Sequence, residues 1–177
     1  FLYNTLENIV WKSNEVGRPD IGRIAAALGR LYRLSIGNGE TIVPIRQEVE
    51  HVMAYVNIQK NRYKERIEFD STVDYDQLYN YAMIKLTLQP VVENAMQHGF
   101  GEDNIDNRIL ITGRLPGDRV QFQIRDNGQG FLYEGFDKLT GVGLHNIQDR
   151  IRLNYGDGYG VELESEPGEG TAVTVEI

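Results

Sequence analysis

Val120-Gln121-Phe122-Gln123-Ile124-Arg125-Asp126-Asn127-Gly128-Gln129-Gly130 is an alternating apolar and polar run that passes straight into an acidic turn bracketed by glycines. Alternation with period two is the pattern of a strand with one buried face. The glycines let another group approach the backbone where a Cβ would stand in the way. Working outward, residues 108–114 read as a second strand, joined to the first through the turn signal Pro116-Gly117-Asp118. Residues 161–165 and 171–177 form a closing hairpin across Pro167-Gly168-Glu169-Gly170, and Arg66-Ile67-Glu68-Phe69 is a further short strand. Residues 143–155 have a helical pattern. So do residues 74–96, where Pro90 must kink the helix or start a fresh one. Strands and helices are mixed without regular βαβ alternation. The expected class is α+β, a two-layer α/β sandwich.

The first third is helical. Leu2, Leu6, Ile9, Val10 and Val16 recur at helical spacing, and Gly17-Arg18-Pro19-Asp20 interrupts. Asp20 is expected to cap a second stretch with Ile24, Ala25, Leu28, Leu31 and Tyr32 on one stripe. A loop containing Gly37-Asn38-Gly39 follows. Pro44 suits the first turn of a helix whose apolar face is Ile45, Val49, Val52, Met53 and Val56, running to about Arg62. The helices around the glycine loop predict an antiparallel hairpin that buries its stripe in a dimeric bundle. The chain therefore divides into a helical hairpin, residues 1–64, and a sandwich, residues 65–177.

With 177 residues, 41% of them hydrophobic, the chain suffices for one ordinary domain and a helical extension. No stretch approaches the roughly 18–20 uninterrupted apolar residues of a membrane span, so this portion is expected to be soluble and cytoplasmic. Phe1 is not an initiator methionine, and the expected setting is a longer parent protein. Cysteine is absent, which excludes disulfides, thiolate zinc sites and cysteine nucleophiles. A formal charge of −8 argues against nucleic acid as a partner, because such binding needs clustered positive charge.

Three elements can carry chemistry. The Asp126 carboxylate, at a strand end beside Gly128 and Gly130, can accept a hydrogen bond from an exocyclic amine such as that of adenine. The alternative is a plain turn. Gly141-Val142-Gly143-Leu144 opens a helix whose free N–H groups form a ready phosphate site, or simply a helix start. In Leu88-Gln89-Pro90-Val91-Val92-Glu93-Asn94-Ala95-Met96-Gln97-His98-Gly99, the residues Asn94, Gln97 and His98 share one helix face while Val91 and Ala95 point to the core. An amide oxygen there is a fitting magnesium ligand, since that ion takes few protein oxygens alongside phosphates and waters. The other reading is an ordinary polar face. Neither Gly128-x-Gly130 nor Gly141-x-Gly143 is followed by the third glycine of a dinucleotide fingerprint, and there is no Walker lysine motif.

Asn94, Asp126-x-Gly128-x-Gly130, Gly141-x-Gly143-Leu144 and Gly170-Thr171, in that order and spacing, resemble the Bergerat-fold ATPases. The run Leu88 to Gly99, together with Gly143-Leu144-His145-Asn146-Ile147 and Arg150-Ile151, is similar to one branch, the LytS/YesM-type sensor histidine kinases. The resemblance covers essentially the whole chain. It implies an ATP-binding catalytic region that uses Mg2+, with Asn94 as metal ligand and Asp126 on the adenine amine. Gly128 and Gly130 shape the base pocket, Gly141, Gly143 and Leu144 lie at the phosphates, and Thr171 backs the base. Glu93 is implied as a water or metal organiser. Where relatives carry a basic residue three after the asparagine this chain has Gln97, so phosphate neutralisation is expected to lean on magnesium, His98 or Arg150. The lid is expected over residues 131–140.

The resemblance further implies a homodimer, a response regulator as partner and a parent anchored in the membrane upstream. In this branch the acceptor histidine lies in Asn-Pro-His-Phe-Leu-Tyr-Asn, and the chain begins at Phe1-Leu2-Tyr3-Asn4. The acceptor is therefore expected one residue ahead of Phe1. His51 is read as a surface or hairpin-packing residue and His145 as a neighbour of the lid. Two other functions stay open: a Bergerat ATPase of another class, and a catalytically silent dimerisation or docking module.

Overall fold

The computed structural model describes residues 2–36, 40–62, 67–100, 106–139 and 142–177. In chain order the elements are α1 (Leu2–Glu15), α2 (Pro19–Ile36), β1 (Ile42–Pro44), α3 (Ile45–Arg62), β2 (Ile67–Val73), α4 (Tyr75–Leu78), β3 (Ala82–Ile84), α5 (Leu88–His98), β4 (Asn107–Arg114), β5 (Gln121–Asp126), α6 (Val142–Tyr155), β6 (Gly160–Glu166) and β7 (Gly170–Glu176).

Five strands form the main sheet in the order β2-β4-β5-β7-β6, parallel between β2 and β4 and antiparallel elsewhere. Its alternating residues Ile67, Phe69, Ile109, Ile111, Phe122, Ile124, Leu163, Val173 and Val175 are buried together with the apolar faces of α3, α5 and α6. The intervening residues Glu68, Arg108, Arg125 and Glu162 are exposed. One sheet and one helical layer make the two-layer sandwich expected from the sequence.

The helical front end keeps the expected pairing of α2 with α3 and differs from expectation in two ways. Besides that pairing, α1 packs on α2 through a tight turn, where Gly17 takes φ +69° and Arg18 N–H reaches back to the Ser13 carbonyl at 2.7 Å. This is a glycine-terminated helix end. Asp20 is not the cap of α2. Pro19 opens that helix, and the Asp20 carboxylate pairs with Arg18 at 2.8 Å. Of the expected stripe, Ala25 is buried while Ile24, Leu28 and Tyr32 are exposed; the side chain of Leu31 and residues 37–39 lie outside those described.

The second difference concerns α3. Ile45, Val49, Val52 and Val56 are buried in the same core as Leu88, Val91 and Val92 of α5. The helix also packs on the sandwich's helical layer, so its apolar face shares the sandwich core. Pro44 ends the short strand β1, which pairs antiparallel with β3 in a two-stranded sheet. His51, on this helix, is buried, which fits the hairpin-packing alternative and not the surface one.

Residues 74–96 are not one helix. Asp74 caps the single turn α4 by accepting from Gln77 N–H at 3.1 Å, β3 follows, and Pro90 sits in the first turn of a new helix, α5. No helix among the described residues is long and apolar enough to cross a membrane.

Candidate nucleotide site

Strand alternation aims Asp126 at the helical layer, on the same side as Phe122 and Ile124. Its side chain is buried at 4% exposure, and Oδ1 accepts from Gly128 N–H at 2.9 Å and Thr171 N–H at 3.3 Å. Among the described residues no bond lands on Oδ2, which is left for a ligand's donor. Burial pushes the carboxyl above its ordinary pKa, opposed by the two N–H bonds. Thr171 stands opposite Asp126 in the β5/β7 register, and its hydroxyl lies 2.9 Å from that of Ser165 on β6.

The acidic turn is locked from several sides. Asn127 Oδ1 accepts from Arg108 N–H at 2.6 Å and its Nδ2 donates to the Asp106 carbonyl at 2.7 Å, tying the turn to the start of β4. Gln129 N–H donates to the Gly99 carbonyl at 2.7 Å. A Cβ on Gly128 would run into that carbonyl. Gly130 takes φ +56° with the Glu166 carbonyl against it, so Gly128 is required by space and Gly130 by space and conformation together.

Above the sheet is a cavity of about 350 Å3. Asn94, His98, Asp126, Gly130, Gly143, Leu144 and Thr171 line it, with Val91, Ala95, Ile124, Phe131, Leu139, Leu163 and Val173 completing an apolar slot. Seven sequence-predicted residues thus meet on one wall system from α5, β5, α6 and β7. Gly128 lies behind the wall, holding Asp126. Glu93 is not on it, and its Oε1 accepts from Gln97 Nε2 at 2.9 Å. Thr140 and Gly141 lie outside the described residues. Asn94 faces the first turn of α6, since a Cβ on Gly143 would stand 3.5 Å from Asn94 Nδ2. That is where free helix N–H groups favour phosphate oxygens.

Arg150 is not available to phosphates in the expected way. Its guanidinium donates to the carbonyls of Lys85 at 2.6 Å and Leu86 at 3.2 Å. His145 does sit by the lid segment, 3.2 Å from the Leu139 carbonyl and edge-on to Phe136 at 4.8 Å. Sequence reading overlooked Ser165, whose Oγ accepts from Phe131 N–H at 2.9 Å and so pins the start of the lid segment beside the base site. A serine in an alternating strand carries no signal of that role. It also passed over Gly99, quoted only as the end of a helix, whose carbonyl holds Gln129.

Residues 80–177 match the model of the histidine kinase-, DNA gyrase B- and HSP90-like ATPases. The chain belongs to that family. Within this ATPase family its relatives are sensor histidine kinases, and a histidine kinase model matches residues 1–67 ahead of the ATPase match. The sensor histidine kinase YesM of Bacillus subtilis is 36% identical over 180 residues, covering 100% of this chain and 31% of YesM. The sensor histidine kinase BtsS of Escherichia coli is 28% identical, covering 98% of this chain and 30% of BtsS. This ATPase chain therefore spans about a third of the length of such relatives. In fold it matches the histidine kinase domain of the Erythrobacter litoralis EL346 blue-light activated histidine kinase. The TM-score is 0.59 at 19% identity, covering 98% of this chain and 82% of the other. The catalytic domain of the histidine kinase ThkA matches with TM-score 0.58 at 21% identity, covering 77% and 93%.

Proposed function

We propose that the cavity binds ATP with magnesium and that the chain transfers the γ-phosphoryl group to a histidine of its parent protein. From there the group passes to an aspartate of a response regulator. The observation that carries this reading is the placement of Asp126: Oδ1 is consumed by two backbone N–H groups, and the residue lines a largely apolar cavity with no described bond on Oδ2. Such a charge-assisted bond contributes roughly 1.5–3 kcal/mol, enough to select an amine-bearing base.

The donor set suits a magnesium ion that arrives with phosphates. Among the described residues no cluster of three acidic or histidine side chains offers a protein cage, whereas Asn94 brings one amide oxygen to the α6 N-terminus. When bound, the ion would neutralise phosphate charge during transfer. Asn94 would hold it, with Gly143 and Leu144 supplying helix-start N–H groups and His98 lining the same cavity. Glu93, fixed by Gln97 outside the cavity, organises rather than ligates. Transfer breaks the bond from the γ phosphorus to the bridging oxygen and forms one to the acceptor imidazole nitrogen, with ADP leaving.

None of the three histidines in this chain is placed as acceptor. His51 is buried on α3, His98 is part of the cavity wall, and His145 is engaged by the lid segment. The exposed apolar side chains of α1 and α2, among them Ile9, Trp11, Ile24 and Leu28, support dimerisation through those helices. The parent is read as a membrane-anchored sensor with this portion in the cytoplasm.

Calorimetry with a non-hydrolysable ATP analogue tests the reading directly. Binding is expected to strengthen with magnesium. Asp126→Asn should lower affinity about 10- to 100-fold, and Asn94→Ala should remove the magnesium dependence. Parent-like binding by both variants would refute the assignment.

A further inference from the structure

The connection from β3 to α5 is held by bonds from α3, α6 and the segment before β1. Leu86 adopts φ +59°, the one described residue other than glycine in the left-handed region. A leucine holds such a backbone only where its surroundings fix it. Nearly every polar backbone group from residues 84–88 has a partner from a different element. Ile84 N–H donates to the Tyr155 hydroxyl at 3.1 Å and Lys85 N–H to the Thr41 carbonyl at 3.0 Å. Glu48, 1% exposed on the first turn of α3, accepts from Leu86 N–H and Thr87 N–H at 2.8 Å and from Leu88 N–H at 2.9 Å. Arg150 takes the carbonyls of Lys85 and Leu86. Thr87, which ought to cap α5, turns its hydroxyl to the Ile84 carbonyl instead, at 2.7 Å.

Glu48 is thus the missing cap of α5, supplied from 40 residues away. Arg150 fastens α6 to the same joint. Asn94 lies fewer than two turns into α5, and Gly143 lies seven residues before Arg150, on the same side of α6. Pro90 of α5 and Gly143, Asn146 and Arg150 of α6 border one shallow groove just outside the cavity. Asp126 and Thr171, on the sheet, have no contact with this joint among the described residues.

We propose that Glu48 and Arg150 are positioning residues for the phosphate end of the site. They set the spacing of Asn94 from the α6 N-terminus by clamping residues 85–88 between α3 and α6, and they leave the base end untouched. The inference rests on the nucleotide reading given above.

The test uses the full chain with two probes: a magnesium complex of a non-hydrolysable ATP analogue, and adenosine alone, followed by amide NMR shifts at Gly128 and Thr171. Arg150→Ala is expected to raise the dissociation constant for the analogue at least tenfold while adenosine stays within twofold. Arg150→Lys, which can still donate to one carbonyl, is expected to recover part of the loss. Should Arg150→Ala fail to fold, Glu48→Gln carries the same expectation, since it keeps the shape and gives up one acceptor. Equal weakening of both probes, or no weakening of either, overturns the clamp. Failure of the parent chain to bind either probe overturns the nucleotide reading itself, and the clamp with it.

Discussion

At the residue scale, Asp126 sits where two demands conflict. Burial disfavours its charge, yet base recognition needs an ionised acceptor. A carboxyl whose folded-state pKa is raised contributes stability that is fully present below its ordinary pKa and is lost as pH rises through the folded-state value. Asp126→Asn has no such titration, and its amide oxygen can still accept the N–H groups of Gly128 and Thr171. The melting temperature of the variant relative to the ligand-free parent is therefore expected to rise with pH over the carboxylate range and then level off. Nucleotide affinity of the parent should move the opposite way, falling as pH drops through that range. Thermal melts and binding titrations across pH check both, and a variant that loses ground as pH rises would contradict the assignment. Asp126 was legible in the sequence because its chemistry is local: strand alternation aims it and adjacent glycines clear its space. Ser165 was not, because its partner Phe131 lies 34 residues away and a hydroxyl on a strand commits to nothing until that partner is known.

At the element scale, α5 depends on a carboxylate that is not its own. Glu48→Ala would leave the N–H groups of Leu86, Thr87 and Leu88 without their acceptor inside the protein. The cost should be about 3 kcal/mol or more, given ~1.5–3 kcal/mol for a bond to a charged group. For a chain of this length that corresponds to a fall in melting temperature of roughly 6–12 °C, measurable by calorimetry. A loss of only a degree or two would mean that water replaces the cap. On sequence alone Glu48 resembles any charge in the first turn of an amphipathic helix, and only the fold reveals it as buried. The short strand β3 was missed for a related reason. Its apolar run from Tyr81 to Ile84 fits helical and strand periods alike, and the pairing with β1 that decides between them spans 40 residues.

At the scale of the whole molecule, the sandwich was legible because its strands alternate cleanly and its turns carry glycine and proline. The helical layer was not, since the sequence cannot tell whether the apolar face of α3 meets a partner chain or its own sheet. A practical expectation follows. A fragment of residues 41–177 should fold cooperatively and bind nucleotide, whereas residues 65–177, lacking α3, should expose Val91, Val92 and Leu88 and aggregate. Sedimentation and circular dichroism of the two fragments decide it, and a well-folded 65–177 fragment would support a boundary at 64. Likewise, with His51 buried, His98 in the cavity wall and His145 engaged by Leu139, incubation of the chain with radiolabelled ATP should leave no acid-labile label on it.

The one-sided sheet also makes the molecule convenient to report on. Arg125 is exposed on the outer surface, one residue from the buried Asp126, and the chain contains no cysteine. Replacing Arg125 with cysteine would create a single thiol on the far side of the strand that floors the cavity. A dye attached there would sense occupancy through the backbone while staying out of the ligand's way.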